Sequence, residues 1–497
     1  MRRRSFLQGA AAGLGLTALG GRANANPLNI ALPSLGIETR PSKTPVEHIV
    51  VLMQENRSLD HLLGWYGAEH PDFDAGQHAR YPDLRQGPDG PMVSTEDWGE
   101  RGRRNHHGRH FADPSHSWNG GRHELRGGRG DGWLHPDTGN DELALSYYNP
   151  LDVPVWAQLT RDYQAYDRWF TALLGPTFPN RYYLHSGQSG GMKDNTLPPL
   201  VPNRPEWGLG WDWPTLWTLF EQYGVTCNYY FNNLPTIALW GPRHLTHLRP
   251  MAAYYADAAL GQLPQVSFVD PFFITPEGLA NDDHPHADLR LGQAFISDVV
   301  EAFVMSPHYR KGALVVTYDE WGGFWDHVVP PRARDDRGTD GDPGGADDFG
   351  QLGFRIPSTI VSPWTKGPTV DHTTYEHCSI TRFISDNWGL PQLTARTRSA
   401  NSIETAFRGF SSYDPEPAFV PYEAPLHLIT EPTSELIGEG LGLPAAARSD
   451  AASDLFGLAE IGFLDGLGLD LDQRFEDSYL HRRPQLIGEV SAAFGLG

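Results

Sequence analysis

Two apolar runs stand out along the chain, VEHIVVLM at 46–53 and ALVVTY at 313–318. Both have strand length, are rich in β-branched residues and lack the strict alternation of a half-exposed strand, which predicts parallel strands buried on both faces. Each run stops on polar residues: Gln54-Glu55-Asn56-Arg57 after the first, Asp319 and Glu320 after the second. A third run, STIV at 358–361, leads into Ser362-Pro363. Helical periodicity covers 155–161, 214–223 and 289–303. Strands alternating with such segments predict an α/β fold around a mostly parallel sheet. In open sheets of this kind the ligand crevice lies outside the carboxyl ends of the strands, so Glu55, Asn56, Asp319 and Glu320 are expected to meet there. Residues 67–145 are rich in Gly, Asp, His and Arg and carry little periodicity, and they are read as a long loop excursion over that face. Beyond residue 410 the composition shifts to Pro, Ala and short Leu-Gly patterns, a C-terminal extension spanning 411–497.

The N-terminus changes the picture of where the protein works. Arg3-Arg4-Ser5-Phe6-Leu7, a short apolar stretch and the small-residue site Ala23-Asn24-Ala25 resemble a twin-arginine signal with removal after Ala25. About a dozen apolar residues are too few to cross roughly 30 Å of hydrocarbon, so a periplasmic or secreted protein without a permanent membrane span is expected. Its export partner would be the twin-arginine machinery. A formal net charge of −22 argues against nucleic acid as a partner, because a polyanion is repelled on average. Only two cysteines occur, Cys227 and Cys378, so neither a disulfide framework nor a thiolate-rich zinc site is available, and one bridge between them has no support in the pattern. A metal in this protein must be held by oxygen and imidazole ligands.

The candidate chemistry centres on Gly175-Pro176-Thr177-Phe178-Pro179-Asn180-Arg181, which places a hydroxyl at a helix entry where backbone N–H groups can meet an anion. An alcohol is a weak nucleophile at its own pKa. A cation among Glu55, Asn56, Asp319 and Glu320 would activate Thr177, whereas the local sequence alone reads first as a helix cap. Arg181 offers a planar fork for a phosphoryl oxygen. Acid and histidine candidates are His327 in Trp321-Gly322-Gly323-Phe324-Trp325-Asp326-His327, His116 after Asp113-Pro114-Ser115, His284 and His286 after Asp282-Asp283, and His377 after Tyr375-Glu376. His106, His107 and His110 lie among arginines and read as a solvated loop or an adventitious metal binder.

Taken in order, Gln54 to His61, Gly175 to Arg181 and Thr317 to Pro331 resemble the phosphoesterase family of bacterial phospholipases C and acid phosphatases. The resemblance runs from about Val46 to Leu390 and defines a catalytic domain over 44–410. It implies an alkaline-phosphatase-like three-layer sandwich and one divalent metal ion on Glu55, Asn56, Thr177, Asp319 and Glu320. Thr177 is then the nucleophile that becomes phosphorylated. His116, His284 and His327 contact phosphate or assist the leaving group, and Arg181, His286 and His377 bind substrate. The implied substrate is a phosphate ester, a phospholipid in the phospholipase C reading and a small soluble monoester in the acid phosphatase reading. A third alternative is an exported phosphate- or headgroup-binding protein without turnover. Leu59, Asp283 and Cys378 stand where the family commonly has phenylalanine, glutamate and threonine; none is a proposed ligand.

Overall fold

The structure, a computed structural model, describes residues 44–428 apart from 103–105, 109–112, 199–209, 274–279, 286, 338–346, 408–412, 417 and 426–427. The segment expected to be an N-terminal signal, and most of the expected C-terminal extension, therefore lie outside the described residues. In chain order the main elements are β1 (His48–Gln54), α1 (Trp118–Leu125), α2 (Pro154–Asp162), β2 (Ala165–Tyr166), α3 (Thr177–Ser186), α4 (Leu216–Tyr223), β3 (Cys227–Phe231), β4 (Leu248–Pro250), α5 (Met251–Leu260), β5 (Val266–Val269), α6 (Leu289–Val304), β6 (Gly312–Tyr318), β7 (Thr359–Val361), β8 (Val370–Asp371) and α7 (His377–Asn387).

Eight strands form one sheet in the order β8-β2-β7-β6-β1-β5-β3-β4. The two apolar runs are its central pair. β1 lies parallel to β6 with Gln54 opposite Tyr318, and parallel to β5 on its other side. Every residue of β6, and all of β1 except His48, is buried, so the sheet is covered on both faces, as the unbroken apolar runs require. One group of helices, α2, α5 and α6, packs together, and a second group is formed by α3, α4 and α7. This is the expected α/β sandwich. The short strand β7 departs from the expectation drawn from its sequence: it pairs antiparallel with both β6 and β2. Its polar sequel therefore lies at the opposite edge of the sheet, where the Ser362 hydroxyl donates to the carbonyl of Gly312 at the start of β6.

The segment 67–145 is also more than a loop. It holds α1, a pair of short antiparallel strands (Arg80–Pro82 with Met92–Ser94) and a core of its own, in which Tyr81, Leu125, Trp133 and Leu134 pack with Trp321, Trp325 and Phe354. Its apolar anchors are widely spaced aromatics, which carry large buried area without a helical or strand period. Cys227 and Cys378 are both buried and free. Among the described residues no helix is long and apolar enough to cross a membrane.

Candidate active site

Parallel pairing of β1 and β6 does most of the assembly. Because Gln54 and Tyr318 are in register, the next residues, Glu55 and Asp319, emerge side by side at the carboxyl edge, and the Asp319 N–H donates to the carbonyl of Gln54 at 3.0 Å. Asn56 turns the chain with φ at 61°, a left-handed conformation that asparagine tolerates better than most residues. Its N–H donates to Asp319 Oδ1 (3.2 Å), as does the N–H of Glu320 (2.7 Å). Glu320 Oε2 in turn accepts from the N–H of Gly322 at 2.6 Å. Gly322 has φ at 67°, and a Cβ there would lie 2.2 Å from the Asn56 carbonyl oxygen, so only glycine lets the two strand-end turns approach this closely.

α3 completes the crevice from the other side. Thr177 is its first residue, Pro179 is accommodated in the first turn, and the helix ends on Gly187 in the left-handed conformation. Thr177 does not cap the helix. Its hydroxyl is buried and takes no hydrogen-bond partner. One turn later Arg181, 2% exposed, donates to Asp319 Oδ2 (3.1 Å), Asp270 Oδ1 (3.0 Å) and Glu55 Oε1 (3.2 Å). Asp270 leaves β5 as Glu55 leaves β1, and it is held by the hydroxyl of Tyr229. The expectation of Arg181 as a substrate clamp is corrected by this arrangement: its fork is committed to three carboxylates, so it orders the acids instead of reaching outward.

Among the described residues at the strand ends, the buried oxygens Glu55 Oε2, Asn56 Oδ1, Thr177 Oγ1 and Glu320 Oε1 take no hydrogen-bond partner. Burial, and then the charge of Asp319, push the carboxyls of Glu55 and Glu320 well above the usual carboxylate range. Within this cluster the Arg181 guanidinium pairs with three acids, Glu55, Asp270 and Asp319, and the charges of Asp319, Asp113 and Glu55 bear on Glu320. Buried, unpaired oxygens with an excess of negative charge are the donor set of a hard divalent cation, and they belong to the residues expected to hold one.

The candidate histidines divide. His116 and His284 come to the site, with ring centres 5.9 Å apart. The Nδ1 of His116 lies 2.8 Å from the carbonyl of Pro114, which leaves Nε2 facing Asn56 Nδ2 at 3.3 Å and Glu320 Oε1 at 3.9 Å. His284 Nδ1 lies 3.0 Å from the carbonyl of Pro285, and its Nε2 lies 3.4 Å from Asp113 Oδ2. Backbone carbonyls thus orient both imidazoles with Nε2 inward.

His327 does not join them. It is bound to Asp60 (2.5 Å) and Asp74 (3.0 Å) in a separate cluster. His377 is a correction too. Its Nδ1 accepts from the N–H of Ala172 (3.3 Å) and its Nε2 donates to the carbonyl of Tyr318 (2.9 Å), so neither nitrogen is left for substrate. Burial lowers its pKa to about 4, keeping it neutral under the Asp319 turn. His286 lies outside the described residues. Of the His106–His110 group, His107 is buried and pairs with Asp152 at 3.0 Å, away from the crevice, and His110 is outside the described residues.

Asp113 and Asp270 are site residues that the sequence reading left without a role. The signal for Asp270 was present, since QVSFVD at 265–270 is another apolar run closed by an acid. Asp113 had no such signal, because it is brought in by the tertiary packing of the 67–145 segment.

With this geometry in view, residues 46–391 match the Phosphoesterase family. The chain belongs to that family. It is 32% identical over 450 residues to the non-specific phospholipase C6 of Arabidopsis thaliana, covering 82% of each chain. It is 31% identical over 408 residues to phospholipase C B of Mycobacterium tuberculosis, covering 70% of this chain and 74% of the relative. Among solved structures, a protein in the alkaline phosphatase superfamily from Vibrio parahaemolyticus aligns with 85% of the chain at 11% identity and a TM-score of 0.35. As a member of the phosphoesterase family, the protein is a hydrolase acting on phosphoester bonds. The family match spans both strand-end acid pairs, α3 and the segments of His116 and His284.

Proposed function

We propose that this phosphoesterase is an exported, metal-dependent enzyme of phospholipase C type that hydrolyses its ester through a phosphorylated Thr177. The observation that carries the reading is the Thr177 hydroxyl. It is buried, makes no hydrogen bond and stands one helical turn before the Arg181 that gathers Glu55 and Asp319. A structural threonine at a helix start would use its hydroxyl on the backbone. Glu55, Asn56, Thr177, Asp319 and Glu320 would hold the metal ion, which supplies a Lewis acid that lowers the hydroxyl pKa and neutralises phosphoryl charge.

Thr177 Oγ, its hydroxyl proton released to solvent, attacks phosphorus while the bond from phosphorus to the ester oxygen breaks. His116 or His284, both fixed by backbone carbonyls, delivers a proton to the departing alkoxide. Water then attacks phosphorus and gives a proton to the histidine that was deprotonated in the first step, the bond to Thr177 Oγ breaks, Oγ regains a proton from solvent, and phosphate or a phosphomonoester leaves. Arg181 and Asp270 keep Glu55 and Asp319 oriented throughout. Relatives named phospholipase C support a phospholipid diester as substrate, and the N-terminal Arg3-Arg4 segment supports twin-arginine export to the periplasm or medium.

Acid-quenching the enzyme during turnover of p-nitrophenyl phosphorylcholine and mass analysis of the peptide containing Thr177 should reveal one added phosphorylcholine group, and one added phosphoryl group when p-nitrophenyl phosphate is the substrate. Its absence at any quench time, with turnover intact, would remove Thr177 from the role. Rates on p-nitrophenyl phosphorylcholine and lecithin vesicles should exceed those on p-nitrophenyl phosphate, and the reverse order would assign the enzyme to soluble monoesters. Chelation should abolish both.

A further inference from the structure

The face-to-face placement of His116 and Glu320 has no direct bond to maintain it, since Nε2 and Oε1 are 3.9 Å apart. The two residues come from segments roughly two hundred positions apart. What spans the gap is a buried polar chain behind them. Glu124, near the end of α1 and fully buried, accepts from the indole Nε1–H of Trp321 through Oε2 (2.8 Å) and from Asn140 Nδ2 through Oε1 (3.1 Å). Asn140 Oδ1 accepts the backbone N–H of Ser115 at 2.7 Å, and its Nδ2 also donates to the carbonyl of Trp133 at 2.9 Å. Trp321 is the neighbour of Glu320, and Ser115 the neighbour of His116. α1 is built to admit this contact: a Cβ at Gly121, one turn before Glu124, would lie 2.8 Å from the Trp321 ring.

We infer that Glu124 and Asn140 are positioning residues for catalysis, a two-residue strut that sets the distance of His116 from Glu320. The inference rests on the functional reading above. A carboxylate buried only for packing would be poor design, because desolvating it is costly and an apolar side chain would fill the same space. Here each oxygen meets one N–H donor, and each donor leads to one side of the site. The arrangement also has a polarity. Moving the carboxylate from position 124 to position 140 preserves the chain of bonds: an amide at 124 accepts from Trp321 and donates to a carboxylate at 140, which still accepts from Ser115. Only the Trp133 carbonyl loses its donor.

That polarity makes the test. Glu124→Gln alone sets an amide N–H against either Trp321 or Asn140, and Asn140→Asp alone sets two carboxylates face to face. Each should lower kcat by roughly 10- to 100-fold, the usual effect of removing an outer support of a catalytic group, with KM nearly unchanged. The double variant Glu124→Gln/Asn140→Asp should recover kcat to within about threefold of the native enzyme. Trp321→Phe, which cuts only the indole link, should resemble the single variants more mildly and covers the case of a single variant that fails to fold. Metal content by elemental analysis and melting temperature are read on every variant. Single variants that lose melting temperature but keep kcat, or a double variant no better than the product of the singles, would overturn the inference. His116→Ala measured in parallel separates the two levels. Full turnover in it alone would overturn the strut and leave His284 as the acid, whereas full turnover in both it and His284→Ala would overturn the functional reading as well. A dead His116→Ala beside an unaffected strut would overturn the strut alone.

Discussion

Two buried acid clusters flank the same turn of this chain, and they are finished in opposite ways. On one side, Asp60 and Asp326 meet Arg355 and His327: Arg355 Nε donates to Asp326 Oδ1 at 2.9 Å, and His327 Nδ1 lies 2.5 Å from Asp60 Oδ2. Backbone N–H groups of Gly76 and Val328 take up further lone pairs on these acids. Seven residues earlier, Glu320 joins Glu55 and Asp319 with one guanidinium among them and leaves buried oxygens on Glu320, Glu55, Asn56 and Thr177 with no hydrogen bond. Both clusters are desolvated, so desolvation is not what marks a functional site. The difference is completion. Cations and donors sufficient for the acids make a strut, and a deficit of both makes a place for something that is not protein.

The sharpest break of this comparison is Thr177→Ala. Turnover should fall by roughly 10⁴-fold or more, the scale seen when a nucleophile is removed, while the acids keep enough ligands to retain metal by elemental analysis. Activity at a few per cent of native would end the nucleophile assignment. Next, Glu320→Gln should abolish or severely weaken metal binding in calorimetric titration, yet leave the metal-free protein at least as stable as before. It removes a charge that the metal-free cluster cannot balance. A destabilised metal-free variant would show that the cluster was already complete.

The matching change in the other cluster, Asp326→Asn, should do the reverse. Metal content should be unchanged, and stability should fall by about 2 kcal/mol in denaturant unfolding, because Arg355 loses the nearer of its buried carboxylate partners and is left with Asp60 at 3.4 Å. The smallest effect belongs to His327. Burial alone would lower its pKa, but the hydrogen bond and charge of Asp60, together with the charge of Asp326, outweigh this and raise it to about 9. Its ion pair therefore adds stability that is fully present below pH ~6.5 and is lost as pH rises through about 9. The stability difference between native protein and His327→Gln should shrink over that interval, and kcat should stay within about threefold because His327 does not face the crevice. A large kcat loss would return His327 to the site.

The histidines show where reading along the chain stops. His116, His284, His327 and His377 are alike in sequence, each next to acids or a turn, and family resemblance grouped them. Packing sorts them by what their ring nitrogens meet: backbone carbonyls with Nε2 left inward for His116 and His284, carboxylates for His327, and backbone on both sides for His377. Arg181 was legible as an arginine of the site, read as a clamp for a phosphoryl oxygen, but its burial and direction were not. Its fork turns to Asp270, which closes the apolar run 266–269 as Glu55 closes that of β1.

By itself the sequence determined the sheet centre and the convergence of acids upon it. Unbroken β-branched runs bury on both faces, parallel pairing fixes their register, and that register puts whatever follows each run at one edge. Glu55, Asn56, Asp319 and Glu320 needed nothing more. Tertiary structure alone decided which polar atoms were left over. Whether an oxygen on Thr177 or Glu320 finds a partner depends on donors from remote segments, and whether Glu124 and Asn140 brace His116 depends on how the 67–145 segment folds onto Trp321. Those are sums over neighbours in space, and no local pattern carries them.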